Sequence, residues 1–130
     1  MKNFQDLFAE PLQDNAFLEM SPITLAFIGD GVHTLFVRDS VVKSGTFVGF
    51  HKKCSSVCNA KAQSLKLDSI SNILTEEELN IVRRARNAKT QNIAKNSDIE
   101  TYKKATSFEA LIGYLYLKGD FERLTEILKN

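Results

Sequence analysis

Several features of secreted and membrane proteins are missing from this sequence. It has only two cysteines, too few for a disulfide framework, so we expect free thiols in a reducing compartment. No uncharged apolar run reaches the roughly 18 residues that a membrane span needs. The N-terminal segment carries acids where a signal peptide would have basic and apolar regions. These absences predict a cytoplasmic protein.

A sustained alternation of apolar and polar residues, the mark of a β-strand, is also missing. Repeats and low-complexity segments are absent as well. Of the 130 residues, 43% are hydrophobic and 25% are charged, as in ordinary globular domains. We therefore predict an all-α fold of five to seven helices in one domain, residues 1–130, in which residues 1–20 form an arm or a short helix.

Capping signals locate most of the predicted helices. Ser21 and Pro22 are typical of an N-cap and a first helical residue. Thr75 with Glu78 is a capping box, and Ser97 offers a second one. The predicted helices run from Pro22 to about Lys43, from Val48 or Phe50 to Leu67, from Thr75 to about Asn87, from Ser97 to about Lys118, and from Phe121 to Lys129. The polar residues 88–96 are predicted to form a loop.

The first long helix carries an anomalous acid. Residues 25–38 are almost entirely apolar, yet Asp30 lies among them between two glycines. Such a helix belongs in a core or a subunit interface, where an unpaired carboxylate is costly, so we expect Asp30 to have a partner. Gly29 and Gly31 each weaken the helix by about 1 kcal/mol relative to alanine, which predicts that another backbone or a ligand comes close there.

The expected partner is Glu109, the acid in the only other apolar run of this kind, residues 107–117. Two apolar helices that each present one acid suit a cation such as Mg²⁺, which binds one or two carboxylates together with water and substrate phosphate. Two simpler readings stay open at this level. Asp30 could be a core carboxylate paired with an arginine, and Glu109 could close a capping box begun by Thr106.

Four other side chains either lie close to one of these acids in the predicted helices or share a helix face. His33 is one turn after Asp30, and we expect it to support the site or an interface rather than to act as a general base. His51, Cys54 and Cys58 share one helix face, but three ligands from a single helix are a weak zinc signal, and buried thiols are common.

The net charge of +1 hides an asymmetry along the chain. Residues 1–30 hold one lysine against five acids, residues 42–67 hold five lysines and no acid, and residues 83–104 hold seven basic residues against two acids. This pattern favours a polyanion bound by the two basic segments, with the acids between them. A solvated surface has the same composition, so the charge alone decides nothing.

Five short motifs, in order, resemble one family. Ala26-Phe27-Ile28-Gly29-Asp30 resembles the signature motif of ribonuclease III domains, and Phe108-Glu109-Ala110-Leu111-Ile112-Gly113 resembles the second acidic motif. The other three resemble the Mini-ribonuclease III subgroup, which lacks a double-stranded-RNA-binding domain: His51-Lys52-Lys53 with Ala60-Lys61-Ala62-Gln63, Arg86-Asn87-Ala88-Lys89, and Lys95-Asn96-Ser97-Asp98 before Tyr102. The resemblance covers residues 22–118.

The resemblance implies a ribonuclease III-like helical fold and a Mg²⁺-dependent endoribonuclease that cleaves double-stranded RNA to 5′-phosphate and 3′-hydroxyl ends. Asp30 and Glu109 would be its catalytic, metal-binding acids. It also implies a homodimer built on the signature helix and maturation of the 23S (large-subunit) ribosomal RNA precursor, and it leaves open a ribosomal-protein partner. The RNA-binding candidates are Lys52, Lys53, Lys61, Arg86, Asn87 and Lys89.

The sequence departs from the longer ribonuclease III enzymes at Ile23, Ala26 and Thr106, where those enzymes carry carboxylates. Fewer protein ligands predict looser Mg²⁺ binding, with water or RNA phosphate completing the coordination, and leave open whether one or two metals bind. The alternatives are therefore a non-catalytic RNA-binding dimer that acts in ribosome assembly, and a helical interaction module.

Overall fold

The structure is a computed structural model that describes residues 3–13, 15–45, 48–88 and 98–130. These ranges form seven α-helices and no strand, which confirms the all-α prediction. The helices are α1 (Ala16–Glu19), α2 (Pro22–Lys43), α3 (Phe50–Cys58), α4 (Ala60–Ile70), α5 (Glu76–Asn87), α6 (Ile99–Lys118) and α7 (Phe121–Lys129). Within the same ranges, no helix is long and apolar enough to span a membrane. Short 3-10 turns lie at Phe4–Leu7 and Ser71–Ile73.

Local capping explains several helix ends. The Ser21 hydroxyl accepts a hydrogen bond from the backbone N–H of Ile23 at 3.2 Å, so α2 begins where predicted. Thr75 and Glu78 bond reciprocally at the start of α5, at 3.2 and 2.9 Å. Gly119 ends α6 with a left-handed backbone, φ 80°, which glycine adopts without strain. These ends were predictable because each depends on residues that are close in the chain.

The single helix predicted from Val48 or Phe50 to Leu67 is wrong, because the structure has two helices there. Asn59 separates them: its backbone is extended, and its side chain accepts a hydrogen bond from the backbone N–H of Ala62 at 2.8 Å. The residue therefore caps α4 rather than continuing α3. The prediction missed it because apolar residues continue with helical spacing on both sides.

The start of α6 also differs from the prediction. Asp98, not Ser97, is the N-cap, and its side chain accepts a hydrogen bond from the backbone N–H of Thr101 at 2.8 Å. Ser97 and the predicted loop, apart from Ala88, lie outside the described residues. Because α6 is continuous from Ile99, the alternative in which Thr106 begins a helix is excluded.

Helix α6 forms the centre of the fold, with α2, α4 and α5 packed around it. Ten of its residues are buried. The core includes side chains with less than 2% exposure from four helices: Leu25, Ile70, Ile81, Phe108, Leu111, Ile112 and Leu115. Burial of each such side chain contributes about 1.5 to 3 kcal/mol, so packing on α6 fixes where its neighbours lie.

Candidate active site

Two glycines lie where α2 and α6 cross. A Cβ atom added to Gly29 would be 1.8 Å from the carbonyl oxygen of Glu109, and one added to Gly113 would be 1.9 Å from the carbonyl oxygen of Leu25. Only glycine therefore lets these two backbones come so close. The prediction for Gly29 is confirmed. At Gly31 the added atom meets nothing within 4 Å, so the predicted close approach is not found there.

The same crossing brings the two predicted acids together. Asp30 follows Gly29 on α2, and Glu109 lies one turn before Gly113 on α6. The pKa of Glu109 is raised from 4.5 to about 8, first by burial, then by a hydrogen bond with Asp30 and by the negative charge of that group. Two carboxylates that share one site repel each other, and this repulsion favours keeping a proton or a cation between them.

The surroundings of the two acids differ from the prediction in one respect. Asp30 is exposed in this chain, whereas Glu109 is half-buried. We expected this helix to lie in a core or a subunit interface. The chain by itself does not bury Asp30 in a core, the interface stays a prediction, and the partner of Asp30 is the acid expected. Asp30 lies at the rim of the crossing, and Glu109 lies below it, because α6 is the more deeply buried helix.

A buried amide, Gln63 of α4, lies next to Glu109. Its side-chain nitrogen is 3.4 Å from Glu109 Oε2 and 3.2 Å from His33 Nδ1. Gln63 is 3% exposed and His33 5%. Gln63 is a site residue that the sequence motifs did not single out, although a signal was present. It shares a helix face with Leu67 and Ile70, so one amide lies on the apolar face of α4.

His33 is enclosed in the same cluster. Its ring packs edge-on against Phe108, with centroids 5.0 Å apart and planes at 84°. Burial lowers the pKa of His33, the negative charge of Asp30 opposes this, and the positive charge of Lys66 adds to it. The imidazole is therefore held in the neutral form, which agrees with a supporting place beside the acids.

The cysteines of α3 face the site from another side. Burial raises the pKa of the Cys58 thiol, followed by the charge of Cys54, while a hydrogen bond with Thr34 lowers it. The negative charges of Asp30 and Glu109 raise it further, which places Cys58 near both acids. No three His, Cys, Asp or Glu side chains of the described ranges are grouped so as to hold a metal ion. The zinc reading of α3 therefore gains no support from this part of the chain.

The RNA-binding candidates lie on the surface. Lys52 and Lys53 are exposed on α3, and Lys61 is exposed on the first turn of α4, two residues before Gln63. Arg86 forms an ion pair with Glu100 at the start of α6, and Asn87 is exposed at the end of α5. Glu100 precedes Glu109 by nine residues, about 13 Å along the helix. Lys89 lies outside the described residues.

The donor set fits one kind of metal ion. Asp30 and Glu109 offer only carboxylate oxygen, the ligand of hard cations. Burial and then the neighbouring Asp30 raise the pKa of Glu109, and a cation would relieve the repulsion between the two ionised acids. Mg²⁺ is commonly held by one or two carboxylates, with water and phosphate as its other ligands. A closed site for a soft metal needs three or four protein ligands, which the described residues do not group.

Comparison with known proteins identifies the class. Residues 23–120 match the family model of the ribonuclease III domain. The chain belongs to the ribonuclease III family of endoribonucleases, as its motifs predicted.

Within that family the chain is similar to proteins named Mini-ribonuclease 3. It is 44% identical to the one from Thermoanaerobacter sp., over 92% of this chain and 86% of the relative. It is 39% identical to the one from Staphylococcus aureus, over 91% of each chain. A crystal structure of a protein from Fusobacterium nucleatum has 33% identity and a TM-score of 0.80, over 89% of this chain and 94% of that one. The predicted resemblance and fold are thus confirmed.

Proposed function

We propose that this chain is a Mg²⁺-dependent endoribonuclease that cleaves double-stranded RNA, with Asp30 and Glu109 as its catalytic, metal-binding acids. The observation that carries the proposal is the meeting of these two carboxylates at the glycine crossing of α2 and α6. They come from the two motifs on which the family resemblance rests. Residues 1–130 would act together as one catalytic domain.

The acids have a defined task in this proposal. Their carboxylates would hold the cation beside the scissile phosphate. Burial and then the neighbouring Asp30 raise the pKa of Glu109, and its carboxyl would be ionised in the cation-bound form, because a carboxylate binds a cation without its proton. Such a cation supplies polarisation of the phosphate and activation of a water molecule for in-line attack, which leaves 5′-phosphate and 3′-hydroxyl ends. Because only two acids are available, we expect looser metal binding than in enzymes with more carboxylates.

Recognition of the duplex would use the exposed basic residues. Lys52, Lys53 and Lys61 lie on α3 and α4. Arg86 lies on α5 and pairs with Glu100 of α6, which is about 13 Å along the helix from Glu109. An A-form duplex is recognised mainly by its shape, through phosphates and 2′-hydroxyls across the shallow minor groove. Exposed basic residues on three helices of the domain suit such a surface. Asn87 and Lys89 complete the proposed set.

The active form would be a homodimer built on α2. Phe27 is 81% exposed, and Ile23 and Leu35 on the same helix are 41% and 56% exposed. Exposed apolar side chains of this size mark an interaction surface. A symmetric dimer would cover this face and provide two sites for the two strands of a duplex.

The large-subunit ribosomal RNA precursor is the substrate that we propose, by extension from the Mini-ribonuclease III resemblance. A ribosomal protein could assist by presenting the cleavage site. The missing carboxylates at Ile23, Ala26 and Thr106 motivate the rival proposal, a non-catalytic RNA-binding dimer that acts in ribosome assembly. The two proposals differ in one property, which is metal-dependent cleavage.

The test is cleavage of structured double-stranded RNA, including ribosomal RNA precursor, with Mg²⁺ and with a chelator. We expect discrete fragments only with metal, and a loss on the order of 10³-fold for Asp30→Asn and for Glu109→Gln, about 4 kcal/mol of transition-state stabilisation. Asp39→Asn, a change of an exposed acid of α2 that pairs with Lys43, is the matched control. Binding without cleavage under all of these conditions would favour the assembly factor.

A further inference from the structure

One side chain joins the three helices that form the site. The amide nitrogen of Gln63, on α4, reaches Glu109 Oε2 on α6 at 3.4 Å and His33 Nδ1 on α2 at 3.2 Å. Gln63 and His33 are buried and Glu109 is half-buried, whereas Asp30 is exposed. The cluster therefore supports the site from its buried side.

The chemistry of the three groups fixes the direction of both hydrogen bonds. With a cation bound, Glu109 is ionised and its carboxylate can only accept, so Gln63 must turn its NH₂ group rather than its carbonyl toward it. The same nitrogen faces His33, and a donor on Gln63 requires an unprotonated Nδ1. His33 must then carry its proton on Nε2. One amide thus sets both the orientation of a carboxylate and the tautomer of an imidazole.

Packing holds both hydrogen-bond partners of Gln63, which are His33 and Glu109. The His33 ring lies edge-on against Phe108, which is fully buried, and Phe108 is the residue before Glu109. His33 is also one turn after Asp30 on α2. Both acids are therefore attached, through neighbouring residues, to the same buried cluster, and Gln63 is the hydrogen-bonding group at its centre.

We propose that Gln63 is a positioning residue of the active site, which holds the Glu109 carboxylate toward Asp30 by bonding it to a His33 fixed as the Nε2–H tautomer. This inference rests on the proposed function, in which the two acids bind a divalent cation. Partners of metal-binding side chains typically change metal affinity by 10- to 100-fold when they are removed. A Gln63 that only filled space would change stability and leave affinity unaltered.

The test uses Mn²⁺ alone as the probe, bound to the full chain without RNA and measured by electron paramagnetic resonance. Gln63→Met keeps the length and volume of the side chain but removes its donors. We expect Mn²⁺ affinity to fall by about tenfold in this variant, and by more in Asp30→Asn. Leu67→Ala is the control: it opens a cavity on the same face of α4, lowers stability, and should leave the affinity of the folded protein unchanged.

A second measurement needs no metal, because it is made at about pH 9, where Glu109 is ionised even without a cation. Imidazole ¹⁵N shifts of the wild-type protein distinguish the two neutral tautomers, and His51→Gln assigns the signal, because the chain has only two histidines. We expect His33 to be the Nε2–H tautomer in the wild type and a mixture in Gln63→Met. A wild-type His33 that is protonated on Nδ1 would overturn the inference.

The outcomes separate this inference from the proposed function. If Asp30→Asn weakens Mn²⁺ binding and Gln63→Met does not, the metal site stands and the positioning role fails. If the wild type and Asp30→Asn bind Mn²⁺ equally, the metal-binding part of the proposed function fails and the inference fails with it. Weaker binding in both variants, with the expected tautomer, supports the positioning role.

Discussion

Helices α2 and α6 each carry one acid to the same crossing, yet they are buried to different extents. Ten of the 20 residues of α6 are buried, against five of the 22 of α2. α6 is enclosed by its own chain, whereas α2 leaves Phe27, Leu35 and Val42 more than half exposed. One acid is therefore held by the core, while the other lies on a helix whose second face is still available to a partner.

The largest expected effect comes from separating the two helices. Gly29→Ala places a Cβ atom against the backbone of α6, so we expect a loss of about 3 kcal/mol or more in the free energy of unfolding. Gly31→Ala is the matched control, because its Cβ atom meets nothing and alanine favours a helix by up to about 1 kcal/mol. Urea unfolding measures both. Equal stability of the two variants would contradict the close crossing.

The next-largest expected effect is on the pH dependence of stability, which depends on Glu109, the more buried of the two acids. Because the folded-state pKa of Glu109 is raised from 4.5 to about 8, the folded protein binds its proton more tightly than the unfolded chain does. This contribution to stability is fully present below about pH 4.5 and is lost as pH rises to about 8, so wild-type stability should fall across that window.

Glu109→Gln removes this ionisation, and we expect its stability in a chelator to exceed that of the wild type at pH 8, by an amount on the order of 2 kcal/mol. Asp39→Asn serves as the control because it leaves the pair intact. Mg²⁺ should stabilise the wild type at this pH and leave the glutamine variant nearly unchanged. Thermal unfolding at several pH values measures these differences. A wild type with the same pH dependence as Glu109→Gln would rule out the raised pKa.

A charged substitution on the exposed face of α2 should change the oligomeric mass of the protein but not its fold. Phe27→Glu puts a charge where we propose a symmetric apolar interface, so the protein should sediment with half the mass of the dimer. The monomer should keep its helical content because Phe27 contributes little to the core. Leu65→Glu, at an exposed leucine of α4, should leave the mass unchanged. A monomeric wild type would contradict the proposed dimer.

The smallest expected effect concerns the basic surface. Lys61→Ala should reduce the slope of log affinity against log salt by about 1, because one phosphate contact is lost. Arg86→Ala should reduce it by less, since Arg86 has to exchange Glu100 for a phosphate. Lys118→Ala is the control, because Lys118 lies at the C-terminal end of α6, the opposite end from the Arg86–Glu100 pair. Binding to duplex RNA in a chelator, measured at several salt concentrations, would show which residues contact phosphate.

The sequence was informative wherever a helix end depended on neighbouring residues. Ser21, Thr75 and Gly119 were predicted correctly because a cap involves groups within about four residues. The break at Asn59 was missed because apolar periodicity continued across it. Gln63 lies in one of the family motifs, but no role could be predicted for it, because a single sequence does not show which buried amide contacts which acid.

Local sequence patterns thus predicted most of the helices, the acids worth considering and the family motifs that contain them. Only the tertiary structure decided that Gly29 rather than Gly31 faces α6, that Asp30 is exposed while Glu109 is half-buried, and that Gln63 bridges Glu109 and His33. These two kinds of feature differ in how far apart in the chain the interacting residues are. Capping and helical periodicity act within a few residues, whereas the angle and depth of a helix crossing depend on side chains about 80 residues apart that pack only once the whole core has formed.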